Sequence, residues 1–159
     1  MKKVELIKLD PAVALFNYEG AEVSLVVKMI KNKTEINNNT ENVKKQLQEL
    51  SKNLKPGEIE TLETQLKLAL EKEDQEKIKS LQLRINFLSA EWSKKYTEAE
   101  NTIFQESINV KLDKISQEEL MILMKPKKEV VSMKETERQV VVTNHFTTET
   151  LASLAPLLK

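Results

Sequence analysis

A hydrophobic seam that changes phase constrains this chain more than any other feature. Ile59, Leu62, Leu66 and Ala69 step at three, four and three residues, the spacing of one helix face. Ile78, Leu81, Ile85, Leu88, Trp92, Tyr96, Ala99 and Ile103 repeat that spacing out of register with the first set. Between them Glu71-Lys72-Glu73-Asp74-Gln75-Glu76-Lys77 contains no apolar residue. A single straight helix would present the two seams on different faces, whereas two helices joined by a polar tip can pack them together. The pattern therefore predicts an antiparallel helical hairpin, with helices over about residues 58–72 and 74–107. The second would be roughly 50 Å long at 1.5 Å per residue.

The residue inventory narrows the function classes. With 25 acidic and 25 basic side chains among 159 residues, no net field steers the chain toward nucleic acid or an anionic surface. Cysteine is absent, which removes disulfide and thiolate chemistry and suits a reducing cytoplasm. Only Gly20 and Gly57 are glycines, so no phosphate-cradling glycine loop exists. Arginine, the side chain for bidentate base reading, occurs only at Arg84 and Arg138. Glu5, Lys8 and Asp10 interrupt any signal-peptide core, and no apolar run approaches the roughly 20 residues of a membrane span. No cofactor and no membrane contact are expected.

Around the hairpin the pattern is less regular. Val4 to Leu9 reads as a short strand stopped by Asp10-Pro11. Residues 21–30 fit either a helix, with Val23, Val26, Val27 and Ile30 on one face, or a buried β-branched strand. Met29, Ile36, Val43 and Leu50 recur at seven residues and support helix. Asn37-Asn38-Asn39 suggests a break, with Thr40 capping a helix that ends at Lys55-Pro56-Gly57. After Ser107, Ile108, Val110 and Leu112 alternate with polar residues as in a half-exposed strand. Ser116-Gln117-Glu118-Glu119 is a capping box, opening a short helix that must end before Pro126. Residues 129–143 read as strand with a charged middle, and Thr147 caps a last helical turn closed by Pro156. The expected fold class is α+β, mostly α: a central helical hairpin or coiled coil, with short flanking strands forming a small sheet. The expected organisation is a domain over 1–125 and an arm over 126–159 that docks on itself or on a partner.

Each candidate site has a plain structural reading beside the functional one. His145, the only histidine, lacks a serine or carboxylate at triad spacing. The tip acids Glu71, Glu73, Asp74 and Glu76 lack calcium-loop spacing and alternate with lysine, so they form a solvated turn or a protein-contact tip. Lys125, Lys127 and Lys128 form a basic linker. Trp92 and Tyr96 lie one turn apart on the seam, where they serve as core or as partner anchors. Leu120, Met121, Ile122, Leu123 and Met124 make an apolar helix, and methionine adapts to irregular partners. The candidate contact residues are thus Trp92, Tyr96, Leu120, Met121, Met124, Glu73 and Asp74; no catalytic, metal or cofactor residue is assigned.

Two resemblances add to this reading. Leu62, Leu66, Ala69, Glu73-Asp74, Leu81 and Ile85, within residues 62–88, resemble the UVR helical hairpin of excision-repair subunits and protein quality-control adaptors. Gln75 and Leu83-Arg84 depart from that pattern. The resemblance implies protein–protein contact. Pro11 through Glu19, with Phe16-Asn17-Tyr18-Glu19, is similar to the start of a family of phage and prophage coiled-coil proteins. That similarity implies a phage origin and a helix beginning near Glu19. Together these expectations describe a non-enzymatic, homo-oligomeric interaction protein in the host cytoplasm or virion. It would be a virion or assembly component, or a modulator of a host protein. An accessory nucleic-acid protein of a phage recombination or replication module, using lysines on one helix face, is the alternative. A carboxylate-dependent metal hydrolase is a distant third, because the acids lack helix-facing pairs with histidine.

Overall fold

The computed structural model describes the backbone of residues 1–133, 136–142 and 146–159, with side chains described outside 127–145. Its helices are α1 (Lys3–Ala14), α2 (Val23–Leu54), α3 (Gly57–Glu71), α4 (Gln75–Gln105), α5 (Gln117–Leu123) and α6 (Thr148–Ser153). The chain forms two compact units, Met1–Asn42 with Glu106–Lys159, and Val43–Gln105.

In the second unit α3 and α4 pair along the seam. Ile59, Leu62, Ala69, Ile78, Leu81 and Leu88 form one buried cluster, with Leu66 and Ile85 packed against it. The turn between them has a defined chemistry. Glu73 N–H donates to Leu70 O (3.2 Å) and Asp74 N–H to Ala69 O (3.1 Å), the paired bonds of a Schellman ending. Glu73 accordingly takes a left-handed backbone with φ 55°. Asp74 then caps α4, its Oδ1 accepting from Lys77 N–H at 3.1 Å. Arg84 clamps the hairpin from outside, donating through Nε and Nη2 to the two Glu58 oxygens (3.1 and 3.3 Å).

The first unit corrects the expected fold class. Residues 4–9 are not a strand; they lie in α1, which continues past Asp10 with Pro11 inside it. Leu6, Leu9, Ala12, Val13 and Phe16 are all buried at helical spacing. An interior proline costs about 3 kcal/mol, whereas burying each of several aliphatic side chains returns about 1.5–3 kcal/mol, so packing wins over the breaker. The helix start is tied by Lys2 N–H donating to Glu5 Oε2 at 2.7 Å.

Residues 23–30 are helix, and the asparagine run does not break it. α2 passes through Asn37–Asn39, and Thr40 sits buried within it rather than at a cap. Asn39 Nδ2 donates back to Glu35 O at 2.7 Å. Helix penalties below about 0.7 kcal/mol per asparagine are outweighed by burial of Met29, Ile36 and Val43.

Nor is 108–112 a strand in a sheet. Ser107 makes an isolated bridge to Lys2, and Ile108 N–H donates to Met1 O at 2.9 Å, but no ladder follows. The extended segment instead meets a side chain. Asn32, 1% exposed, donates from Nδ2 to Asp113 O and accepts at Oδ1 from Asp113 N–H. The alternation of Ile108, Val110 and Leu112 thus reports an extended chain with one side half-buried, not a sheet.

β1 (Lys127–Met133) and β2 (Thr136–Val142) run antiparallel with each other. No strand at the N-terminal end joins them, and the expected sheet linking the two ends of the chain is absent among the described residues. The fold is helical, with 76% of the residues whose side chains are described in helix. The charged middle at Lys134-Glu135 lies outside the described residues.

Two further ties complete this unit. Ile115 N–H donates to Leu157 O (2.8 Å) and Lys159 N–H to Ile115 O (3.2 Å), while Ile115, Leu123, Leu154 and Leu157 are fully buried. Asn17 N–H donates to Leu123 O (2.7 Å) and its Nδ2 to Pro126 O (3.1 Å), fixing the chain after α5 beside the end of α1. The Ser116–Glu119 capping box forms in both directions, at 3.1 and 2.6 Å. Thr147 caps α6 by accepting from Thr150 N–H at 3.1 Å.

Candidate protein-contact surfaces

The two tip acids are occupied by the turn itself. Glu73 supplies the left-handed residue and Asp74 the cap, and both side chains are exposed. Trp92 and Tyr96 are half-buried neighbours on α4, their ring centroids 6.4 Å apart and tilted by 53°. The Trp92 indole N–H is buried and meets no acceptor. Burial, aided by a hydrogen bond to Glu100, raises the Tyr96 phenol above its ordinary pKa, leaving it a neutral hydrogen-bonding group. Leu47, Gln48, Ser51 and Lys52 of α2 line a shallow depression beside it.

The α5 residues divide by face. Leu123 is fully buried, Leu120 and Met124 are half-buried, and Met121 is 72% exposed. Met121 alone of that group projects freely. Of the seven candidate residues, Glu73, Asp74, Trp92 and Tyr96 belong to one unit, and Leu120, Met121 and Met124 to the other. Lys125 is exposed, whereas His145 and the side chains of Lys127 and Lys128 lie outside the described residues.

Another exposed apolar stripe lies among the described residues of α2. On α2, Val23, Val27 and Ile30 are 79%, 46% and 57% exposed. They fall within about 60° of one another on a helix turning 100° per residue. Leu25, Met29 and Ile36, on the opposite side of the same helix, are buried. α2 thus carries two apolar faces, of which the fold covers one. The sequence contained both: Val23, Val27 and Ile30 at four and three residues, and the seven-residue step from Met29. What it did not contain was which face meets the rest of the chain. The face that continues furthest, through Ile36 to Val43, is the buried one.

The charges around this stripe are unevenly engaged. Lys28 pairs with Glu119 at 2.7 Å. Glu22 accepts from Ser24 Oγ at 3.4 Å, and Glu35 from Asn39 Nδ2 at 3.2 Å. Lys31 and Lys33, on either side of Ile30, are exposed and have no hydrogen-bond or ion-pair partner among the described residues.

A second, smaller apolar pair, Leu83 and Phe87 on the outer side of α4, is 63% and 54% exposed. Arg84 lies over the Phe87 ring at 5.9 Å, so that aromatic is partly engaged by its own helix. Between α1 and α6 runs a groove lined by Pro11, Ala12, Leu15, Thr150 and Ser153. Lys8 and Glu149, both exposed, approach to 3.8 Å at its rim. Among the described residues no group of three or more histidine, cysteine, aspartate or glutamate side chains is placed to hold a metal ion, and no helix is long and apolar enough to cross a membrane. Comparison with protein-family models, curated proteins and solved structures returned no match.

Proposed function

We propose that this chain is a non-enzymatic protein–protein interaction protein. The observation that carries the reading is the uncovered face of α2: Val23, Val27 and Ile30 stand in solvent while the opposite face of the same helix is fully packed. Isolated exposed aliphatic residues are ordinary, but three on successive turns form a continuous stripe, the pattern used by helices that dock on helices. The stripe is limited to these residues, since Thr34 and Glu41 continue the same line. Three partly exposed side chains fall well short of the ~800 Å² per partner that a standard interface covers. That favours a transient contact at this face over an obligate oligomer built on it. A phage-encoded assembly component or modulator of a host protein is the setting implied by the similarity at residues 11–19.

Site-specific photocrosslinking tests the reading. A photoreactive residue at Ile30, expressed in the native host, should yield a discrete crosslinked protein. The same residue at exposed Lys111, in the extended segment and outside both exposed apolar patches, should not yield that protein. Equal or absent crosslinking at both positions would remove the reading. A salt-sensitive DNA mobility shift abolished by Lys31→Glu with Lys33→Glu would favour the nucleic-acid alternative instead.

A further inference from the structure

We infer that the backbone edge of Val110 and Leu112 receives an extended peptide, added as a β-strand; the site is independent of the α2 stripe. The pairs on either side fix which way this edge faces. Ile108 exchanges two hydrogen bonds with Met1, its N–H donating to Met1 O at 2.9 Å and its carbonyl accepting from Met1 N at 3.2 Å. Asp113 exchanges two with the Asn32 side chain. In an extended chain successive residues turn their N–H and C=O to alternate sides. Val110 and Leu112 therefore face the Met1 side, and Asn109 and Lys111 the Asn32 side. The backbone groups of Val110 and Leu112 bond to no other residue among those described. The ladder begun at Met1 thus stops with its next two positions open.

Hydrogen-bond geometry selects the occupant. The open donors and acceptors recur every second residue, about 6.6 Å apart along an extended chain. A helix uses its own backbone groups internally and cannot answer them, whereas an extended peptide matches them group for group. Beside the edge lies a depression of about 330 Å³ lined by Met1, Glu5, Val110, Leu112, Lys114 and Pro156. Lys114 Nζ donates to Pro156 O at 2.6 Å and closes one end of it. Val110 and Leu112 are half-buried there, while Asn109 and Lys111 are exposed. The apolar lining favours aliphatic side chains at alternate positions of the peptide. A second copy fits less well: its matching edge is recessed in the same way, and two recessed edges cannot approach to the ~4.8 Å of paired strands.

The test uses the full-length protein and a fluorescent heptapeptide alternating valine and serine, with both ends blocked so that neither is charged. At a peptide concentration about ten times its Kd, amide exchange should slow about tenfold at Val110 and Leu112. Asn109 and Lys111 should exchange as before. Val110→Pro removes an N–H that the peptide needs and no hydrogen bond within the described protein. In fluorescence anisotropy it should weaken binding about tenfold, the effect of one lost hydrogen bond, with the thermal midpoint kept. Lys111→Pro, whose missing N–H faces the other side, should bind like the parent. The exchange measurement on the parent stands whatever the fate of the proline variants. No binding, protection at Asn109 and Lys111 instead, or equal losses from the two proline variants would overturn the inference. Sedimentation showing a dimer that Val110→Pro dissolves would also overturn it, in favour of a second copy.

Discussion

Asn32 and Asp113 exchange two hydrogen bonds, Nδ2 to the Asp113 carbonyl at 2.8 Å and Asp113 N–H to Oδ1 at 2.7 Å. A side-chain amide on α2 thereby serves an extended segment as a neighbouring strand would. Asn32 is 1% exposed, whereas Asp113 lies at the surface. Asn32→Leu should lower stability by about 1–3 kcal/mol, because it removes two hydrogen bonds between the helix and the extended segment. In a domain of this size that corresponds to roughly 2–12 °C in thermal midpoint. Asn32→Asp keeps the acceptor but places a carboxylate against the Asp113 carbonyl, and it should also destabilise. Thermal denaturation of the two variants checks both.

Glu73 holds a left-handed backbone at φ 55° that a side chain with Cβ adopts at a cost of about 1 kcal/mol. Glu73→Gly should therefore raise stability by about 0.5–1 kcal/mol, and Glu73→Val should lower it. If the acid instead contributes a tertiary contact, the glycine variant will melt earlier than the parent.

Removal of the neighbouring cap should act oppositely. Asp74→Ala deletes the acceptor for Lys77 N–H and should cost about 1 kcal/mol, with Asp74→Ser or Asp74→Asn restoring most of it. Urea midpoints at unchanged m-value would measure this directly.

Glu119 links pH to the first unit. Its carboxylate accepts from Lys28 Nζ and from Ser116 N–H, which together hold its pKa below the ordinary carboxylate value. A depressed folded-state pKa gives stability that is fully present above the unfolded value near 4.5 and lost as pH falls through the folded one. Between about pH 5 and pH 3 the parent should lose more thermal stability than Glu119→Gln, which cannot titrate. Parallel curves for the two proteins would show that this pair contributes nothing to acid sensitivity.

The last residues are secured by packing. Leu154 and Leu157 are fully buried, with Ile115 bonded to the Leu157 carbonyl and to Lys159. Leu157→Ala should cost about 2–5 kcal/mol, the range for emptying a closely packed aliphatic site. Amide exchange should then show early loss of protection at Ile115 rather than in α3 or α4.

The hairpin was legible because its signal is local and repeated. Ile59 to Ala69 and Ile78 to Leu88 each carry helical spacing, and the charged tip between them leaves few ways to join them. The Ser116 and Thr147 caps were equally readable, since a cap needs only residues three apart. Residues 4–9 misled because Asp10-Pro11 reads as a stop; the helical step Leu6, Leu9, Val13, Phe16 crosses that stop and was the available signal. Residues 108–112 misled because alternation marks an extended chain and does not say what lies beside it. Of the candidate contacts, Met121 is freely exposed, Leu120, Met124, Trp92 and Tyr96 are half-buried, and the tip acids are turn chemistry.

By itself, then, the sequence determined the elements whose cause lies within a few residues: helix periodicity, caps and the polar turn. The tertiary structure alone decided the choices that depend on distant neighbours. It selected which face of α2 is buried, let α1 carry Pro11, and paired Asn32 with a backbone 81 residues away. Burial energy is set by what arrives from elsewhere in the chain, and a single segment's pattern states only what it can offer.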